Sequence, residues 1–149
     1  MISLGQLKNA VNNQIRESLR NSPFENIPII AADLSEPIIR PSIKVLLEES
    51  RSGKFNGNFL ERNITCRIYF FSQNNKIYFD DCHLMQELLE MGFYDGLYIS
   101  GSYWVGVDEI ESDIIDTVLE VSFELYYMEE KDETAEEQEL EMMEVLYQE

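Results

Sequence analysis

The sequence predicts an α+β fold: a mainly antiparallel sheet with a long projecting hairpin, helices packed on one face, and an extra C-terminal helix. Three observations carry this expectation. Residues 42–71 alternate apolar and polar about an Asn56-Gly57 pair, a strong short-range hairpin signal because a type I′ turn needs positive φ at both central residues. Residues 116–128 show a second clean alternation. Three other stretches repeat apolar residues at helical spacing.

The chain has 149 residues, 44% of them hydrophobic and 11% aromatic. One domain of that length buries roughly 68–70% of its unfolded surface. The expected division is a body over residues 1–128 and an acidic linker with a terminal helix over residues 129–149.

The first element is a helix over residues 3–20. Ser3 and Gln6 form a capping box, weakened by Gly5, and Leu4, Leu7, Val11, Ile15 and Leu19 make one stripe. Ser22-Pro23 ends it. Residues 27–32 read as a short strand, with Pro28 suited to an edge. Residues 36–41 form a loop leading into the hairpin.

Closing the hairpin at Asn56-Gly57 places Phe55 opposite Asn58. Continued back, that register pairs Leu47 with Cys66, Val45 with Ile68 and Ile43 with Phe70 on one face. Beyond Leu47 and Ile64 the alternation stops, so the polar distal half is expected to project and leave open strand edges, which favours assembly over catalysis.

A helix over residues 77–91 follows, with Asn75 as cap and Gly92 as its C′ residue, lying across the hairpin. Its stripe is Cys82, Met85, Leu88 and Leu89, widened by Leu84 and Met91. Residues 97–99 and 103–107 are short strands, and residues 108–113 an acidic loop. In the long strand over 116–128, Thr117, Leu119, Val121, Phe123, Leu125 and Tyr127 share one face, with Glu120, Ser122 and Glu124 on the other. Residues 129–133 form a charged linker. Thr134 and Glu137 make a second capping box, opening a last helix with Leu140, Met143, Leu146 and Tyr147 as a narrow stripe.

The net charge is −18, and residues 129–149 carry ten acids and one lysine, half of that total. Phosphate backbones are bound by Lys and Arg, so this chain is a poor nucleic-acid binder, although DNA is free to pass close by. Cys66 and Cys82 have neither metal nor disulfide spacing and fit buried free thiols in a reducing compartment. There is no basic-then-apolar signal pattern and no apolar run of membrane length, so a soluble cytosolic product with no membrane partner is expected.

His83, the only histidine, follows Cys82, but neighbours on a helix point apart. The acids Asp108, Glu109, Glu111, Asp113 and Asp116 lack the spacing and central glycine of a calcium loop. No phosphate-binding or nucleophile motif is present, so no cofactor, metal or catalytic residue is expected. Trp104, Tyr94, Tyr98 and Tyr103 read first as core and rim of the sheet, and secondarily as an interface.

The N-terminal amphipathic helix, the hairpin ending in Ile68-Tyr69-Phe70-Phe71, the helix containing Leu84-Met85-Gln86-Glu87-Leu88-Leu89, and the strand Thr117-Val118-Leu119-Glu120-Val121-Ser122-Phe123 resemble, in that order, the tail terminator (tail completion) proteins of contractile-tailed phages and phage-tail-like bacteriocins. The resemblance covers residues 1–128. It implies a non-enzymatic homohexameric ring in a virion or tail-like particle, assembled in the bacterial cytoplasm. Such a ring sits at the head-proximal end, caps the tail tube protein, ends its polymerisation and contacts the tail sheath protein, and in a phage DNA passes through it.

The expected subunit or tube interface is the distal hairpin: Glu49, Arg51, Lys54, Phe55, Asn56, Phe59, Glu61 and Arg62. Leu140, Met143, Leu146 and Tyr147 are expected to meet the sheath or a neighbour. Two other classes are a head–tail connector or stopper ring, and an acidic monomeric inhibitor or immunity protein.

Overall fold

The computed structural model describes residues 2–30 and 38–130, with Glu49 described by its backbone alone. The elements run α1 (Leu4–Ser18), β1 (Ile29–Ile30), β2 (Ser42–Lys54), β3 (Phe59–Phe71), α2 (Phe79–Phe93), β4 (Leu97–Ser100), β5 (Tyr103–Ile115) and β6 (Val118–Glu130). Six strands make one mixed sheet in the order β1-β2-β3-β6-β5-β4. β1 is parallel to β2, and the other neighbours are antiparallel. The expected terminal helix and its capping box lie outside the described residues, as do residues 31–32 of the first expected strand.

Helix α1 starts where its capping box requires. Ser3 Oγ accepts from the Gln6 amide at 3.1 Å, and Gln6 Oε1 accepts from the Ser3 amide at 2.8 Å. Leu7, Val11, Ile15 and Leu19 are fully buried, whereas Leu4 is exposed. They pack into one core with the inward positions of the sheet: Ile43 and Val45 from β2, Ile64, Cys66, Ile68 and Phe70 from β3, and Leu119, Val121, Phe123 and Leu125 from β6. Period-two alternation puts each set on the same face. α2 adds Cys82, Met85, Leu89 and Phe93. It lies against β5, β6 and α1 rather than across the β2–β3 hairpin, because the central strand β6 presents the largest apolar face.

The hairpin base keeps the expected register: Ile43↔Phe70, Val45↔Ile68 and Leu47↔Cys66. The turn differs. Phe55 N–H donates to Phe59 O at 3.0 Å, so the loop is one residue longer than a two-residue turn. Asn56 Oδ1 accepts from the amides of Asn58 and Phe59, a side-chain-closed turn that competes with type I′ geometry. A bulge in β2 between Glu48 and Arg51 sets two residues against Ile64 and restores the base register. The two one-residue departures cancel.

The distal hairpin is not a free strand pair. β6 pairs β3 along its length, as far as Phe59↔Glu130. Glu129 and Glu130 therefore continue the strand instead of opening a linker. The ladder and the contact from Ile2 N–H to Glu129 Oε1 at 2.6 Å outweigh the loss of apolar alternation there.

The acidic stretch 108–113 is also strand, within β5, and Asp108 and Glu109 form a bulge between Val107 and Ile110. Ile110 and Ile114 face the core, and the acids point to the other side or sit in the bulge. The β5–β6 connection is the tight one, with Ile115↔Val118 flanking Asp116 (φ 47°) and Thr117 (φ 69°). Thr117 thus belongs to the turn rather than the strand face. Its Oγ1 accepts from Arg40 Nη2 at 3.3 Å.

α2 begins two residues later than expected. Asn74, not Asn75, supplies the side-chain acceptor before it, binding the amides of Lys76 and Ile77. Gly92 lies within α2, where a Cβ would stand 1.8 Å from Ser18 Oγ. The positive-φ residue after the helix is Gly96 (φ 100°), and a Cβ there would meet Val105 O at 2.6 Å.

Candidate interaction surfaces

Four surfaces stand out. The first is the hairpin tip. Arg51, Lys54, Phe55, Asn56 and Phe59 are exposed, with Phe55 at 55% and Phe59 at 38%. Glu61 is held by β6, since Tyr126 Oη donates to its Oε2 at 2.8 Å, and this bond raises the Tyr126 phenol above its ordinary value. Arg62 sits opposite Tyr127 in the ladder. These seven residues are gathered at one end of the sheet. The Glu49 side chain, and Leu140, Met143, Leu146 and Tyr147, lie outside the described residues.

The second surface is the pair of sheet edges. β1 covers β2 only at Ile43 and Lys44, and β4 covers β5 only at its start, Leu97↔Val105 to Ser100↔Tyr103. Among the described residues, β2 residues 45–54 and β5 residues 106–115 have no strand on their outer sides. Unpaired ladders are ready templates for another strand.

The third surface is a cleft of about 560 Å³ between α1 and β4, lined by residues that include Ala10, Asn13, Ser18, Ile99 and Trp104. Gln14 braces it. Its Nε2 donates to Gly92 O at 2.9 Å and Gly96 O at 2.7 Å, and its Oε1 accepts from the Tyr98 amide at 2.8 Å. No sequence pattern marks Gln14, which reads as one more polar residue of an amphipathic helix. Two of the sequence-predicted aromatics, Tyr98 and Trp104, line the cleft. Tyr98 and Trp104 meet edge to face at 5.1 Å, and Tyr94, Tyr98, Tyr103 and Trp104 are all exposed rather than core.

The fourth is the polar face of the sheet, away from the helices. Arg67 is its hub, pairing Glu120 at 2.7 Å and Glu48 at 3.4 Å. Asp108, Glu109, Glu111 and Glu124 border the adjoining groove of about 450 Å³.

Among the described residues, the cysteines and the histidine are not gathered on these surfaces. Cys66 is fully buried, and burial pushes its thiol up to about 12, which suppresses the nucleophilic thiolate. Burial likewise raises the Cys82 thiol. His83 is exposed, its ring 6.0 Å from that of Phe79. Among the described residues no three of His, Cys, Asp and Glu converge to hold a metal ion, and no helix is long and apolar enough to cross a membrane.

Comparison with curated proteins gives no match. A family profile described as phage tail terminator protein matches residues 6–137, from the first turn of α1 past the end of β6. That span takes in both helices, all six strands and every described residue of the expected interface, and the chain accordingly belongs to the phage tail terminator family, a family of tail structural proteins.

Proposed function

We propose that this chain forms a homohexameric ring that caps the head-proximal end of a tail tube, ends tube polymerisation and anchors the end of a contractile sheath. The parent particle is a contractile-tailed phage or a phage-tail-like bacteriocin, assembled in the bacterial cytoplasm. Family membership over residues 6–137 carries this reading. The two open sheet edges support it, because a ring needs different, complementary patches on opposite flanks of one subunit. The tip residues Arg51, Lys54 and Arg62 meet an acidic neighbour or the tube. At exposed sites such pairs contribute about 0–1 kcal/mol each and act more on register than on affinity. A net charge of −18 offers phosphates little to bind, so DNA passes through the bore of a phage ring unhindered.

Light scattering of the purified chain, with and without tail tubes, tests the proposal alongside negative-stain images. A hexamer, or a monomer that becomes a ring on tube ends, supports it. A chain that stays monomeric and leaves tube ends bare overturns it. Reversing Arg51 and Arg62 to Glu together should impair assembly, and intact rings from that variant would remove the tip from the interface.

A further inference from the structure

The two open edges are matched in more than being open. Among the described residues each free stretch is ten residues long, 45–54 on β2 and 106–115 on β5. The short strands that limit them sit at opposite ends of the sheet. β1 lies at the row through Ile43, Phe70, Leu119 and Ile114, and β4 pairs Val105, just beyond the row through Arg51, Asn63, Tyr126 and Gly106. The free stretches therefore share the middle rows, such as Leu47–Cys66–Phe123–Ile110. Each also carries its bulge there, after Glu48 and after Val107.

Direction and charge agree as well. β2 runs antiparallel to β3, β3 to β6 and β6 to β5, so β2 and β5 point in opposite directions. A copy rotated about an axis along the strands brings its β5 antiparallel to β2. Residues 45–54 hold Glu48 and Glu49 beside Arg51 and Lys54, a balanced set with both cations towards the tip, whereas residues 106–115 hold Asp108, Glu109, Glu111 and Asp113 and no base. Arg51 and Glu111 lie on the same sheet face, opposite Asn63 and Ser122 respectively. Two acidic β5 edges repel each other, so the charge disfavours that like pairing and leaves the balanced β2 edge as the better partner.

We infer that β2 residues 45–54 of one copy add antiparallel to β5 residues 106–115 of the next, continuing the sheet from subunit to subunit. The joint is heterologous, so it propagates beyond a dimer, and it closes a ring where the rotation per copy divides a full turn. This rests on the ring reading above and names the contact that builds it.

Cross-linking tests the joint. At Gly53 and Gly106 an added Cβ meets nothing within 4 Å, both residues are exposed, and neither has positive φ. Both lie on the polar face, opposite Glu61 and Tyr126 respectively. The variant carrying Gly53→Cys and Gly106→Cys is treated with a bismaleimide about 10 Å long, which tolerates a register shift of about three residues at ~3.3 Å each. Cys66 and Cys82 are buried and leave the background silent. The expected product is a ladder of covalent species up to the ring size, with each single variant staying uncross-linked. Dimers from a single variant would show like edges meeting and overturn the inference. If light scattering shows rings while the double variant gives no ladder, the edge joint is wrong and the ring stands. If the chain forms no ring alone or on tubes, the ring reading fails and the joint with it.

Discussion

Replacing Gly92 with Ala is the sharpest test of the helix packing, because two effects of opposite sign compete. In an ordinary helix interior, Gly→Ala stabilises by about 1 kcal/mol. Here the new Cβ would stand 1.8 Å from Ser18 Oγ, 2.6 Å from Ser18 Cβ and 3.6 Å from Ser18 Cα. Rotating the hydroxyl relieves only the first contact, and it breaks the bond from Ser18 Oγ to Gln14 O at 2.7 Å. The second contact yields only if α1 and α2 move apart by about 1 Å. Overpacking of this kind costs about 1–3 kcal/mol and the lost bond about 1 kcal/mol, so the net effect is a loss of about 1–3 kcal/mol.

Ser18→Gly removes both offending atoms and leaves Cα at ordinary contact distance. That single change should cost about 1 kcal/mol, and the double variant should be no less stable than Ser18→Gly alone. Urea unfolding followed by far-UV circular dichroism, with equal m-values, measures all four corners of the cycle. A Gly92→Ala protein more stable by about 1 kcal/mol, with no coupling to position 18, would refute the close crossing.

Three further outcomes follow from the same structure. Gln14→Ala strands two carbonyls and one amide and should cost about 2–3 kcal/mol in urea titration, with faster hydrogen exchange at Tyr98. Cys66 has its thiol raised by burial to about 12 from 9.0, so the unfolded chain loses this proton first as pH rises. Stability should therefore be complete below about pH 9 and fall towards pH 12, by up to ~1.4 kcal/mol per pH unit for this one group, and Cys66→Ala should flatten the slope. Thr117 is β-branched at φ 69°, so Thr117→Gly should raise the urea midpoint by about 1 kcal/mol equivalent, and a lower midpoint would mean that the Arg40 contact outweighs the strain.

Local patterns carried much of this reading. Ser3 and Gln6 placed the start of α1, and alternation placed the inward faces of β2, β3 and β6, because capping and face selection depend on residues a few positions apart. The base of the hairpin could be registered for the same reason. Its turn was not legible in the same way, since Asn56 closes a loop with its side chain as readily as it adopts positive φ, and the bulge after Glu48 offsets the difference. The acids at 108–113 looked like a loop because charge dominates that stretch. Inside the sheet, one face of β5 is polar and tolerates them.

The sequence by itself determined the starts of α1 and of the hairpin, the inward faces of β2, β3 and β6, and the family the chain resembles. Only the tertiary structure decided the strand order, the closeness of Gly92 to Ser18, the bracing by Gln14 and the two open edges. These depend on which distant segments become neighbours. That is settled by the whole apolar surface folding at once, with β6 drawn into the centre of the sheet and, among the described residues, β2 and β5 only partly covered at its flanks.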